Sequence, residues 1–205
     1  MKIPPPMVPV ITGIAYWDRR VAAWRDKAQL MLMQAELGDR LLLGEGTRVE
    51  RGVIWRVGST GQVRLGEATT VRTGAELKVD GKLTIGRRVL VGAWSTISVF
   101  DEVIIGDDCL LAERVSIRDH DHRFEHPDIP VADQGYRVST IRLGNNVWLG
   151  SGVTLLKGVS LGDGCVVGAN AVVTRSFPAG CVLAGVPARV IQQLPIDERS
   201  YACTD

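Results

Sequence analysis

Leu149-Gly150-Ser151-Gly152-Val153-Thr154 is followed by Leu155 to Ser160, then by Leu161-Gly162-Asp163-Gly164-Cys165-Val166 and Val167-Gly168-Ala169-Asn170-Ala171-Val172. The chain is counting in sixes. Each unit opens on an aliphatic residue, often followed by Gly, and a small or branched residue stands four places later. A period of six matches neither the 3.6 of a helix nor the 2 of a hairpin strand. It suits a chain coiled around a triangular prism, with one short strand per side and three sides per turn. Such repetition decides the architecture before any local propensity is weighed.

The pattern continues upstream. Aliphatic-Gly steps fall at Leu43-Gly44, Leu65-Gly66, Ile85-Gly86, Ile105-Gly106, Leu143-Gly144 and Leu161-Gly162, at spacings of 22, 20, 20, 38 and 18 residues. Three sixes make 18, so the early coils carry a few additional residues, expected at a corner. The spacing of 38 equals one standard coil plus 20 residues. Phase is kept up to Ile117 and regained by Ile141, which predicts an insertion at one corner across residues 119–139. All three histidines, His120, His122 and His126, lie inside it.

Composition narrows the classes. With 205 residues the chain is long enough for one well-buried domain and a short extension. A net charge of +1 gives no electrostatic case for nucleic acid or an anionic membrane as partner. No apolar run approaches the ~18 residues of a membrane span. Pro4, Pro5, Pro6 and Pro9 interrupt any signal-peptide core. Cys109, Cys165, Cys181 and Cys203 form no CxxC pair. Cys109 and Cys165 sit at repeat positions that want a small buried residue, which reads as core thiols in a cytoplasmic protein.

The chain divides into an N-terminal arm and helix (1–40), the prism with its inserted loop (41–186), and a C-terminal helix and tail (187–205). Residues 1–15 read as an extended Pro-rich arm. Asp18 to Leu37 predicts a helix whose docking face carries Val21, Trp24, Ala28, Met31 and Leu32, with Gly38 as the stop. Trp17 and Trp24 read as part of a docking face rather than a ligand site. Pro187 to Leu194 predicts a short helix with proline in its first turn. These end segments are the expected caps of a solenoid, and flat faces with few charges favour self-association around a threefold axis.

Three segments carry a resemblance: Ile141-Arg142-Leu143-Gly144-Asn145-Asn146-Val147-Trp148-Leu149-Gly150, Val167-Gly168-Ala169-Asn170-Ala171-Val172-Val173-Thr174, and Ala184-Gly185-Val186-Pro187-Ala188-Arg189-Val190-Ile191. In this order, downstream of a His-bearing insertion, they resemble the hexapeptide-repeat acyltransferases, in the O-acetyltransferase branch of the galactoside, maltose and nodulation-factor enzymes. The resemblance is strong over residues 103–190 and rests on the repeat alone over 41–102. It implies an all-β, left-handed parallel β-helix and a homotrimer, with sites in clefts between subunits. It also implies acetyl-CoA as donor and a saccharide or other small-molecule acceptor.

Acetyl transfer from a thioester to an alcohol needs a base for the hydroxyl proton, a donor for the developing oxyanion and a route out for the thiolate. Imidazole suits the first task, with an ordinary pKa of ~6.5. A backbone or side-chain donor suits the second, and no metal is required. Asp121-His122-Arg123-Phe124, Ile129-Pro130 and Asp133-Gln134-Gly135 resemble the Asn-His-x-Phe…Ile-Pro…Gln-Gly loop of the family. That resemblance assigns the base to His122, with Asp121 replacing the family's Asn. His120 is the alternative, since it shares one side of an extended segment with His122. Asp119, Asp121 and Glu102 are all candidates to orient the ring, and His126 reads as a solvated loop residue.

For the donor, the resemblance implies Trp148 beside the pantetheine arm, with Ser151 and Ala169 meeting that arm through backbone groups. Thr174 and Arg175 match a Thr-Lys pair near the nucleotide, and Arg189 matches a basic residue facing the phosphates. A second basic residue expected three places on is Gln192 here. Asn145-Asn146 reads either as a corner turn or as part of the site.

Rival readings share the prism. An amine acceptor, on an amino sugar or a streptogramin-type xenobiotic, would use the same donor site. A γ-type carbonic anhydrase gathers its zinc histidines from separate coils, whereas the three here lie within one loop. A non-enzymatic trimeric scaffold would have no reason to carry the Gly-Val-Pro-x-Arg segment beside this insertion.

Overall fold

The structure, a computed structural model, describes residues 28 and 30–195. The Pro-rich arm, the first part of the expected helix with Trp17 and Trp24, and Cys203 lie outside the described residues. What is described is a left-handed parallel β-helix with three flat faces. The first face stacks Leu41–Leu43, Gln62–Leu65, Lys82–Ile85, Glu102–Ile105, Ile141–Leu143 and Ser160–Leu161. The second begins at Arg48–Val49 and ends at Cys181–Gly185 and Ala188–Gln193. The third stacks Ile54–Val57, Glu76–Val79, Thr96–Val99, Ser116–Arg118, Thr154–Leu155 and Val172–Val173.

Coils pair in register, so inward residues form columns of like size. Leu41, Val63, Leu83, Val103 and Ile141 align on the first face. Leu77, Ile97, Ile117, Leu155 and Val173 align on the third. All are at most 2% exposed, and each contributes about 1.5–3 kcal/mol by leaving water. Cys109 and Cys165 belong to this core, at 1% and 0%.

The period of six reflects the corners as much as the core. Backbone φ is positive at Gly46, Ala68, Arg88, Asp108 and Asn146 along one corner, and at Gly52, Gly74, Trp94, Arg114, Gly152 and Asn170 along another. The Gly of the aliphatic-Gly step has a different role. A Cβ at Gly66 would stand 2.5 Å from the carbonyl carbon and oxygen of Gly86 in the next coil, closer than atoms approach. The corner is tied axially: the Arg87 amide donates to Asp107 Oδ1 (2.7 Å), Asp107 to Asn145 Oδ1 (2.8 Å) and Asn145 to Asp163 Oδ1 (2.6 Å). Asn145 and Asn146 are therefore corner residues.

The additional residues of the early coils fall at the corner between the third and first faces, as in Asp80-Gly81 between Glu76–Val79 and Lys82–Ile85. The insertion leaves from this same corner. Register is unbroken across it, with Val103 opposite Ile141 and Ser116 opposite Thr154.

Both ends depart from expectation. Residues 30–37 are helical, but Met31 and Leu32 are exposed, and Leu30, Met33 and Leu37 pack against the core. The docking stripe therefore runs through positions three and four apart on a different face. At the other end the expected helix is a strand: Ala188–Gln193 runs antiparallel to Cys181–Gly185. Positive φ at Gly185 reverses the chain, and Pro187 lies in that reversal rather than in a first helical turn. The branched Val190 and Ile191 suit a strand, and the last coil's unpaired edge supplies the hydrogen-bonding partner a helix would leave bare.

Candidate active site

The insertion opens as a hairpin, His120–His122 paired antiparallel with Tyr136–Val138. Between them Gln134 organises the loop tip. Its Nε2 donates to the carbonyls of His126 (2.8 Å) and Ile129 (2.7 Å), and its Oε1 accepts from the His126 amide (3.1 Å). Gly135, at φ +79, turns the chain back, and its carbonyl accepts from the Arg123 amide. The loop thus has a fixed shape set by its own polar groups.

At its base, Asp119 is wholly buried. Its carboxylate accepts from the Phe100 amide (2.9 and 3.0 Å) and the Asp101 amide (2.7 Å) in the coil beneath. Asp119 Oδ1 also lies 2.9 Å from Nδ1 of His120, itself only 9% exposed. A carboxylate that already accepts from two amides calls for a donor at Nδ1, which leaves Nε2 as the nitrogen able to act as a base in the neutral ring. Phe100 stacks on the His120 ring at 3.7 Å between centroids and 14° between planes. Tyr136 meets both rings edge-on, at 4.8 Å from Phe100 and 5.6 Å from His120. The ring is held by a hydrogen bond, a stack and an edge contact.

His122, two residues on, is exposed and lies 4.4 Å from the Tyr136 ring. Among the described residues its imidazole has no carboxylate partner. The other candidate carboxylates are engaged elsewhere: Asp121 accepts from Lys157, and Glu102 from Arg142 at 3.1 Å. Both histidines line a cleft of about 380 Å³ on the third face, together with Phe100, Tyr136, Lys78 and Arg118. His126 is exposed at the loop tip. Sequence spacing gave no sign of Phe100, Tyr136, Lys78 or Arg118. Phe100, Lys78 and Arg118 reach the cleft only because successive coils stack in register.

The residues expected to hold the donor divide into groups. Trp148 points outward from the second face, 52% exposed, between Leu110 and Val166 on neighbouring strands. Ser151 and Ala169 stand at the next corner, joined by the Asn170 amide donating to the Ser151 carbonyl at 2.8 Å. The Ser151 hydroxyl meets Glu113, which is held below the usual carboxylate range chiefly by its own backbone amide and then by that hydroxyl. Arg189 is exposed opposite Ala184 at the end of the second face. Thr174 and Arg175 lie beyond the third face, with the Arg175 guanidinium 5.1 Å over Phe177. Within one chain, the Ser151 corner precedes the third face and His120 follows it, so the two groups occupy opposite edges of that face.

Two family descriptions match parts of the chain: "Bacterial transferase hexapeptide (six repeats)" over residues 140–175 and "Hexapeptide repeat of succinyl-transferase" over residues 82–112. A Mycobacterium tuberculosis protein named as an acetyltransferase is 35% identical over 130 residues, covering 63% of this chain but only 42% of that relative's length. The Escherichia coli protein WbbJ, named for O-acetyl transfer in lipopolysaccharide biosynthesis, is 38% identical over 142 residues, covering 65% of this chain and 72% of WbbJ. Among solved structures, the N-acyltransferase AntD from Bacillus cereus, in complex with dTDP and 3-hydroxybutyryl-CoA, superposes with a TM-score of 0.67 at 19% identity. That alignment covers 80% of this chain and 87% of AntD. With its coil geometry, its two repeat matches and its identity to WbbJ, the chain belongs to the hexapeptide-repeat acyltransferase family.

Proposed function

We propose that this chain is an acetyl-CoA-dependent O-acetyltransferase that acetylates a hydroxyl of a saccharide or of a polysaccharide or lipooligosaccharide precursor. The observation that carries the mechanism is the buried Asp119–His120 pair at the mouth of the cleft. The residues point to His120 rather than His122 as general base, because only His120 has its ring fixed and one nitrogen assigned to a carboxylate. Nε2 takes the acceptor hydroxyl proton as the oxygen attacks the thioester carbonyl. The C–S bond breaks as the tetrahedral intermediate collapses, and the imidazolium returns the proton to the departing CoA thiolate. Asp119 holds the tautomer and the orientation throughout. No covalent enzyme intermediate is formed.

Donor binding is assigned to Trp148, Ser151 and Ala169 for the pantetheine arm, and to Thr174, Arg175 and Arg189 for the nucleotide and phosphates. Thr174 and Arg175 follow the third face on the side of His120. The Ser151 and Ala169 corner lies across the third face from His120, with Trp148 beyond it on the second face, so joining them to His120 calls for a neighbouring copy. The homotrimer supplies it. Leu90, Leu110, Trp148, Val166 and Val182 form an outward apolar row across five consecutive strands of the second face, a surface suited to contact between copies. WbbJ's name favours an oxygen acceptor on a saccharide; AntD's favours nitrogen. An amine acceptor is the second reading, favoured by that structural likeness alone.

The test is acceptor-dependent thiol release from acetyl-CoA, screened over sugars, amino sugars, nucleotide-linked sugars and streptogramins, in wild type, His120→Ala and His122→Ala. The expected result is a loss of about 10²–10⁴-fold in kcat for His120→Ala and a much smaller loss for His122→Ala. The reverse order would move the base to His122. No release with any acceptor would defeat the acetyltransferase reading.

A further inference from the structure

The cleft wall carries charge that acetyl transfer itself does not use. Lys78 stands opposite Ser98, and Ser98 opposite Arg118, on three consecutive strands of the third face. All three line the cleft beside His120 and His122. With parallel neighbours ~4.8 Å apart, the two cationic residues are spaced about 10 Å at their Cα atoms.

Each carboxylate in this wall is already matched. Glu76 pairs with Arg56 at 2.8 Å, and Asp121 with Lys157. Asp119 is wholly buried and engaged by two amides and the His120 ring. Among the described residues, neither Lys78 nor Arg118 has a carboxylate partner. The Lys78 ammonium lies 5.2 Å over the Phe100 ring, whose stack with His120 ties it to the proposed base. Two uncompensated cations in one concave wall focus a positive potential where the acceptor must sit.

We propose that the cleft takes an anionic acceptor, a saccharide bearing a phosphoryl group held between Arg118 and Lys78, with its hydroxyl presented to His120. A phosphoryl group fits better than a carboxylate. A guanidinium fork satisfies a carboxylate alone, whereas the several oxygens of a phosphate or diphosphate engage the fork on one side and an ammonium on the other. The role given to the hydroxyl rests on the acetyl-transfer reading. The anion site rests on the charges.

Binding separates the two. Ring signals of His120 and His122, assigned with His122→Gln and His126→Gln, are followed by NMR while inorganic pyrophosphate is added to the full chain. The expected result is a saturable shift of the His120 signals, with affinity weakened about tenfold in Arg118→Gln and in Lys78→Gln, as loss of one charge-assisted hydrogen bond implies. The shift should persist in Arg189→Gln, which removes a charge from the proposed donor site. Glucose 1-phosphate should compete and glucose should not.

No saturable shift, or unchanged affinity in both cleft variants, would overturn the site. Sedimentation of the same variants gives an independent check. A smaller particle with unaltered pyrophosphate binding would assign the cations to contact between copies and overturn the proposal. Competition by glucuronate equal to that of glucose 1-phosphate would overturn the phosphoryl assignment. Because the readout is binding, absence of acetyl transfer would leave this result standing, and the converse holds.

Discussion

Replacing Asp119 with Asn probes the site's anchor with almost no change of volume. The carboxylate serves three donors through two oxygens, and its side chain is wholly buried. Asparagine offers one carbonyl oxygen and one NH2. If the oxygen faces His120 and Phe100, the NH2 meets the Asp101 amide, donor against donor. One buried amide then goes unsatisfied, at a cost of about 1–3 kcal/mol. If the amide is flipped, the Asp101 amide is served and His120 loses its acceptor. The first arrangement lowers Tm by roughly 2–12 °C for a chain of this size. The second frees the imidazole to turn or change tautomer.

Either way turnover should fall by about 10², the lower end of what a positioned base supplies, while KM for acetyl-CoA stays within about twofold. Steady-state thiol release and thermal unfolding on the same preparation measure both. A variant with the predicted loss of Tm and wild-type kcat would refute the reasoning. Asp119 would then be only a structural tie between coils.

Gly66→Ala forces two coils apart at the Gly86 carbonyl, and its stability in urea should fall by about 1–3 kcal/mol. Burial pushes the Cys109 thiol up to about 11, and Cys165 and Cys181 are equally enclosed. At pH 8 the peptides bearing these three should resist a thiol reagent until denaturant is added, as read by mass spectrometry. Burial of Asp107 tends to raise its pKa, but hydrogen bonds from the Arg87 amide and guanidinium outweigh it and hold the pKa below the usual range. Its stabilisation is therefore complete above the unfolded carboxylate value of about 3.9 and is lost as pH falls through the lower folded value. Between pH 6 and pH 3, Asp107→Asn should lose less Tm than wild type.

The prism was legible because its two constraints repeat in the letters: a small or branched residue every sixth place and a stack of corners along the axis. The insertion was legible as a break in phase. The reading failed where a choice depended on something other than the repeat. At Pro187, local preference favoured a helix start, but the open edge of the last coil favoured a strand. On the N-terminal helix, more than one apolar stripe fits the spacing, and contact with the first coil selects Leu30, Met33 and Leu37. The loop resemblance points to His122; the proposal of His120 rests instead on the Asp119 carboxylate, which amides 18 and 19 residues away hold in place. No local spacing reveals that pairing. Lys78 and Arg118 were unremarkable in sequence for the same reason: they become neighbours only across an intervening strand.

The antiparallel strand Ala188–Gln193 also bears on how long the particle can become. A parallel coil ending in free amides and carbonyls is a template for another coil like itself, and stacked copies would extend as a fibre. By folding its own tail back across the second face, the chain presents a final strand that runs the wrong way to be copied. On this face the edge is thereby closed to a further parallel coil, which disfavours growth along the axis.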